Sequence, residues 1–178
     1  MIGLLGGRFD PPHNGHVALA RAALDQLPID RLIVLVAERP GHEDAVASAE
    51  DRLRMAEASF DGLGDVVLDR HPYTVDSVRG GGFGDAYFIV GADQAAAFPT
   101  WKDPDEILRW VQLAVGTRSG YEGVVYEGAV TFDLDSPDIS GTDIRGRVAR
   151  GEPIDDFVPP AVARIIDERG LYRWPKAR

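Results

Sequence analysis

Ile2-Gly3-Leu4-Leu5-Gly6-Gly7-Arg8-Phe9-Asp10-Pro11-Pro12-His13-Asn14-Gly15-His16 lies at the start of the chain, and the segments flanking its turn decide the fold. Residues 2–6 read as a short buried strand. Beyond the turn, Val17, Ala20, Ala23, Leu24 and Leu27 follow the 3.6-residue helical period. Leu32-Ile33-Val34-Leu35-Val36 is then a continuous apolar run, the pattern of a strand covered on both faces. Strand, Gly-rich turn, helix and strand form the repeating unit of a parallel sheet, whose neighbouring strands need a crossover connection.

The same alternation continues outward. Ser48-Ala49-Glu50-Asp51 resembles a capping box and opens a helix to about Phe60. Strands are predicted over 65–69, more strongly over 86–91, again over 113–116, and weakly over 131–134. A helix is predicted over 104–110. Two more close the chain, one from near Ser140 to Gly151 and one over about 160–169 with Gly170 as its stop. Residues 79–85 read as a flexible loop too short to divide the chain. The expectation is an α/β fold, a Rossmann-like parallel sheet with helices on both faces. It forms one domain over 1–178. Ligands in such sheets sit at the carboxyl ends of the strands, near a topological switch point.

Composition narrows the function classes. At 178 residues the chain is about one domain's worth on a prior of roughly 150 residues per domain. With 44% apolar and 27% charged residues it is ordinary for a globular protein. It has no cysteine, which excludes disulfides, thiolate zinc sites and cysteine nucleophiles. Nineteen Lys and Arg against 29 Asp and Glu give a net charge of −10, poorly suited to nucleic acid or an anionic membrane. No apolar run approaches a membrane span of ~20 residues, and the N-terminus lacks a basic signal region, so a cytoplasmic protein is expected. A small anion can still bind where Arg, His and backbone N–H groups converge.

Three places offer that convergence or a surface beside it. In the first turn, Gly6 and Gly7 let the backbone approach a ligand, while Asn14 is positioned to cap the following helix. His13 and His16, three residues apart, then face one small volume at a helix N-terminus, where imidazole N–H groups can stabilise charge on a phosphoryl group. In Ile139-Ser140-Gly141-Thr142-Asp143-Ile144-Arg145, Ser140 or Thr142 caps a helix with Arg145 in its first turn. A cation there opposes the helix dipole by roughly 0.3–1 kcal/mol, a cost that makes sense if Arg145 holds a phosphate. The bland reading pairs Arg145 with Asp138 or Asp143. In the third place, Asp93 follows the strong strand, suited to a ribose hydroxyl or a metal-bound water, and Trp101 is suited to stack on a flat heterocycle. A helix cap and a packed rim are equally good readings of those two residues.

These segments together resemble the bacterial nicotinate mononucleotide adenylyltransferases, within the nucleotidyltransferases that share an HxGH motif. The family's GG-[ST]-FDPxHxGH stands here as GGRFDPPHNGH, and its SYTxxTL as Pro72-Tyr73-Thr74-Val75-Asp76-Ser77-Val78. Its FIxGxDxxxxFxxW spans 88–101, its SxTxIR spans 140–145, and its GLY is Gly170-Leu171-Tyr172. The resemblance implies adenylyl transfer from ATP to nicotinate mononucleotide, giving deamido-NAD and pyrophosphate, with Mg²⁺ and without a covalent intermediate. It implies that His13, His16 and Arg145 are catalytic. It implies ATP contacts from Gly6, Gly7, Arg8, Phe9, His13, His16, Ser140, Thr142 and Arg145. By the same resemblance Thr74 and Trp101 frame the pyridine, Asp93 meets a ribose, and residues 140–178 complete the ATP site.

Two positions depart from the family pattern. Arg8 replaces a small hydroxyl residue. The family's PPHK-like loop reads Glu38-Arg39-Pro40-Gly41-His42-Glu43-Asp44, without the lysine. With Pro and Gly at its centre and no apolar anchor, this loop is expected to be mobile and mostly open. Nicotinamide mononucleotide or another phosphate monoester is the alternative acceptor. A metal-dependent hydrolase using His13, His16 and His42, or a nucleotide-binding module without catalysis, are readings from other classes.

Overall fold

The protein is described here by a computed structural model covering residues 1–41, 44–118, 126 and 128–173. Among these residues, six strands form one parallel sheet. They are β1 (Ile2–Gly7), β2 (Arg31–Ala37), β3 (Asp65–Asp69), β4 (Ala86–Gly91), β5 (Gln112–Thr117) and β6 (Val130–Asp133). Their order is β3-β2-β1-β4-β5-β6, so the direction of chain progression reverses between β1 and β4. Pairing across that boundary runs only from Ile2 with Ala86 to Leu4 with Phe88. Both strands continue beyond it, to Gly7 and Gly91, so their carboxyl ends part and open a crevice.

Alternation along the strands sends side chains to two cores. Leu5, Val34, Val36, Tyr87 and Ile89 meet α1 (Asn14–Gln26) through Leu19, Ala20 and Ala23, and α2 (Ala49–Ser59) through Ala56. On the other face, Leu4, Leu35, Phe88 and Val90 meet α3 (Thr74–Gly80), α4 (Ala92–Ala97) and α5 (Pro104–Trp110) through Val75, Val78, Ala95 and Ile107. Each fully buried aliphatic side chain of this kind contributes about 1.5–3 kcal/mol against the entropy of folding.

The C-terminal helices α6 (Gly141–Arg150) and α7 (Pro160–Arg169) have a small core of their own, with Ile144, Ile154, Val158, Val162 and Ile166 against Met55 of α2. Arg169 Nε lies 2.9 Å from Asp51 Oδ1, joining α7 to α2. No helix among the described residues is long and apolar enough to cross a membrane.

Two helices were not visible in the sequence pattern. The seven residues of α3 bury only Val75, Ser77 and Val78, and the six of α4 bury only Ala95. Such elements are too short for a periodic signal, and packing against the sheet makes up what propensity lacks. Arg79 and Gly80, expected in a loop, form the last residues of α3; the sharp turns come later, at Gly82 and Gly84, where φ is +60° and +65°.

Candidate active site

The turn after β1 is built differently from its sequence reading. Gly6 and Gly7 remain in the strand, and the left-handed residue is Phe9, with φ of +51°. Bare α-carbons are needed for room: a Cβ on Gly6 would lie 3.0 Å from the Phe88 ring, and one on Gly7 3.1 Å from the Phe9 ring. The Phe9 side chain is buried against Phe60 and His16, with ring centroids 5.6 and 5.0 Å apart. Only its backbone remains to face a nucleotide.

The cap of α1 is His13, not Asn14. Asn14 is the first helical residue, and its side chain donates to the Asp156 carbonyl at 3.1 Å. His16 is the third helical residue, in the first turn with either cap. The His13 backbone N–H donates to His16 Nδ1 at 3.2 Å. That bond makes Nδ1 an acceptor and leaves the N–H of a neutral His16 on Nε2. The two imidazoles stack with centroids 3.7 Å apart. A Cβ on Gly15 would come within 3.0 Å of His13 Nδ1, which explains the glycine between the histidines.

Both rings are held neutral. Burial pushes the His13 pKa down to about 4. Burial, and then the neighbouring His13, push His16 well below the ordinary histidine value. His13 Nδ1 is buried with no hydrogen-bond partner among the described residues.

The second motif meets the first. Ser140 caps α6, accepting from the Asp143 N–H at 3.1 Å and donating to its carboxylate at 2.6 Å. Arg145 is therefore the fifth helical residue, past the first turn, so the expected conflict with the dipole is weaker than its spacing suggested. It pairs with neither Asp138 nor Asp143 among the described contacts. Its guanidinium donates to the Asp10 carbonyl at 2.7 Å and to Thr142 Oγ1 at 3.2 Å. Across 135 residues of sequence, the start of α6 is thus seated on the histidine turn.

The pyridine candidates gather beside that turn. A cavity of about 360 Å³ is lined by Gly6, Gly7 and Arg8 from β1 and its turn, and by Thr74, Asp93 and Trp101. Thr74 opens α3, and Asp93 is the exposed second residue of α4, so it is not that helix's cap. Trp101 stands edge-on to Phe88, with centroids 5.9 Å apart, and leans on Phe98 at 5.3 Å. It is half-buried, and both the packed-rim and the stacking readings suit it. Sequence reasoning missed His71, which also lines the cavity and sits 2.8 Å from Asp69 through Nδ1.

The loop after β2 is not loose where it is described. Gly41 donates to the Pro72 carbonyl at 3.0 Å, and Tyr73 OH donates to the Gly41 carbonyl at 3.4 Å. Its apolar contact is Tyr73, whose ring would be 2.5 Å from a Cβ on Gly41. Among the described residues of this loop, Pro40 lines the cavity. His42 and Glu43 lie outside the described residues.

Arg52 is a further residue without a sequence signal. It is 1% exposed and donates to the carbonyls of Arg8, Ala37, Glu38 and Ala47 at 2.6–3.2 Å. It binds the turns after β1 and β2 together from beneath. Burial lowers its pKa from the ordinary arginine value, with Asp10 opposing that effect. The described residues hold no group of three or more His, Cys, Asp or Glu arranged to bind a metal.

Comparison with known proteins gives this geometry a context. The family model described as Cytidylyltransferase-like matches residues 4–147. A protein of Bordetella petrii named "Probable nicotinate-nucleotide adenylyltransferase" is 38% identical over 193 residues, covering 97% of this chain and 98% of its own. One of the same name from Chlorobaculum parvum is 36% identical over 194 residues, covering 96% and 98%. The fold is similar to that of Plasmodium falciparum nicotinic acid mononucleotide adenylyltransferase complexed with NaAD. The TM-score is 0.78 at 15% identity, over 96% of each chain.

Proposed function

The chain belongs to the nicotinate-nucleotide adenylyltransferases of the cytidylyltransferase-like family, and on that premise we propose that it joins nicotinate mononucleotide to the AMP part of ATP. The 5′-phosphate oxygen of the mononucleotide attacks the α-phosphorus. The bond from that phosphorus to the bridging oxygen breaks, and pyrophosphate leaves with the electron pair. The products are deamido-NAD and pyrophosphate.

The observation that carries this reading is the meeting of two phosphate motifs, with the Arg145 guanidinium 2.7 Å from the Asp10 carbonyl. The described residues at this junction suit positioning and charge stabilisation, which is what phosphoryl-type transfer asks of a protein. The neutral His16, with its Nε2–H free of the bond at Nδ1, donates to charge developing on the α-phosphate. His13 holds the phosphates beside it. Arg145, Thr142 and Ser140 hold the β- and γ-phosphates, with Ser140 exchanging its bond to Asp143. Gly6, Gly7, Arg8 and the backbone of Phe9 line the path of the nucleotide. Thr74 and Trp101 frame the pyridine, and Asp93 receives a ribose hydroxyl.

Mg²⁺ is proposed to arrive on ATP, coordinated by phosphate oxygens, because the described residues offer no carboxylate cage for it. It would offset charge on the triphosphate. The cytoplasm is the proposed setting. The test is pyrophosphate release by purified protein with Mg²⁺, ATP and a panel of mononucleotides. Release with nicotinate mononucleotide, and formation of the dinucleotide, are the expected outcome. A panel without any release refutes the reading.

A further inference from the structure

The Asp10 carboxylate is 5% exposed yet accepts three hydrogen bonds. They come from the backbone N–H of Val46 at 2.6 Å, that of Ala47 at 3.1 Å, and the hydroxyl of Tyr172 at 2.7 Å. The carbonyl of the same residue accepts Arg145. One residue of the histidine turn is therefore fixed from three directions: the segment before α2, the start of α6, and the turn after α7.

We propose that Tyr172 is a positioning residue for adenylyl transfer: through Asp10 it sets the register of the histidine turn and of Arg145. The proposal rests on the function proposed above. The donor comes from 162 residues away, and nothing local to the turn replaces it. Tyr172 is also held in an unfavourable backbone state, with φ of +61° for a side chain that is not glycine. Such a conformation persists where the surroundings over-determine it. Here the chain has just left α7 through Gly170, and the ring packs against the C-terminal core. The hydroxyl reaches the buried carboxylate. Burial, and then the bond to Asp10, raise the phenol's pKa far above its usual value, so it remains a donor at any working pH.

The carboxylate has no guanidinium or ammonium within ion-pair distance among the described contacts. Arg52 helps by its field, but it donates its hydrogen bonds to four carbonyls. A buried carboxylate held by neutral donors is sensitive to losing one of them, because the remaining two must carry the charge or the group must move toward water. Movement of Asp10 shifts its carbonyl, and with it Arg145. It also shifts the chain leading to His13, three residues on. Both phosphate motifs therefore depend on one carboxylate, and Tyr172 is the only side-chain hydroxyl donating to it among the described contacts.

Tyr172→Phe removes the hydroxyl and keeps the ring. In the full chain it should lower kcat about tenfold, as a sub-ångström misplacement of reacting groups does, with KM for both substrates within about twofold. A residue that only fastens the C-terminal turn would lower the melting temperature and leave kcat per folded enzyme alone. Combined with Arg145→Ala, the loss in kcat/KM for ATP should be smaller than the product of the single losses, because both act through Asp10. Amide hydrogen exchange over 8–16 should accelerate in Tyr172→Phe. Asp10→Ala, which removes the oxygen that accepts from Tyr172, is the second variant and should lower kcat at least as much if Tyr172→Phe does not fold. Unchanged kcat, multiplicative losses, or unchanged exchange over 8–16 would each overturn the proposal. Exchange needs no turnover, so an inactive wild-type protein would refute the adenylyl-transfer reading while the exchange comparison still decides the link between Tyr172 and the histidine turn.

Discussion

The two sides of the crevice between β1 and β4 are held in different ways. On the histidine side, Asp10, His13 and Arg52 are buried, and the polar bonds cross between segments far apart in sequence. On the cavity side, Thr74 and Trp101 are half-buried and Asp93 and His71 are exposed. Among the described residues the polar links there join Asp69 with His71 and Ser77, Lys102 with Asp76, and Tyr73 with Gly41, 2 to 32 residues apart. On the histidine side Ala47 with Asp10, Arg52 with Arg8 and Arg145 with Asp10 are 37 to 135 residues apart. Charge develops at phosphorus, where donors must be in place before reaction if they are to lower the barrier. A pyridine ring only has to be bound and oriented. In the proposed function the buried, long-range polar contacts stand where the barrier would be set, and the acceptor side would rely on packing.

His16→Ala strikes this contrast hardest. It should lower kcat by about 10²–10³, the cost of one preorganised donor, while KM for the mononucleotide stays within about twofold. Steady-state pyrophosphate release measures both. A change in KM with kcat intact would mean the histidine side works by binding alone, and the contrast would fail.

Arg145→Ala should raise KM for ATP about tenfold, on the scale of one charge-assisted hydrogen bond. Since its guanidinium also holds the Asp10 carbonyl, the melting temperature should drop by about 2–4 °C, as expected for ~1 kcal/mol in a chain of this size. A full loss of stability with unchanged ATP kinetics would make Arg145 a purely structural strut.

Trp101→Ala addresses the other side. It should raise KM for nicotinate mononucleotide about tenfold, the scale of one lost stacking partner, with kcat within about threefold. Should kcat collapse with KM unchanged, the cavity would be part of the barrier-setting apparatus and the division drawn here would be wrong.

The mildest effect is on stability against pH. The folded-state pKa of His13 is about 4, against 6.5 for the ordinary group. Between those values the unfolded chain binds more protons than the folded one. Stability is therefore full above about pH 6.5 and falls as pH drops toward 4, by no more than about 3 kcal/mol from this group. His16, shifted in the same direction, adds to the slope. Thermal melts between pH 7 and 4.5 should show the decline, and His13→Gln should flatten it. An equally steep decline in that variant would assign it to other groups.

Much of the frame was legible from local pattern. Residues 65–69, 104–110 and 160–169 have the bounds read from sequence, because apolar spacing, Pro at a helix start and Gly past its end act within one or two turns. The helix after Ser48 starts as its Ser-x-x-Asp pattern predicts, with Ser48 accepting from the Asp51 N–H. His13 and His16 were legible as a pair, yet the cap was assigned to Asn14. Capping statistics favour asparagine, and they do not register a fold that uses the Asn14 side chain to hold the Asp156 carbonyl. Pro, Gly and the lack of an apolar residue within 38–44 predict an open loop, because its contact with Tyr73 comes from another strand's connection.

The sequence by itself determined the alternation of strands and helices, the parallel sheet, and the pair of histidines after β1. Each of these is written in neighbouring residues through periodicity, steric restriction and motif spacing. Only the tertiary structure decided that the Arg145 guanidinium rests on the Asp10 carbonyl, that Arg52 binds two turns from below, and that Tyr172 reaches a buried carboxylate. It alone parted β1 from β4 after Leu4 and so opened the cavity. These contacts span up to 162 residues, and those of Arg52 and Arg145 end on backbone carbonyls, which every residue carries. No periodicity or composition marks such a partner; it is fixed only when the sheet, the helices and the C-terminal core have closed around it.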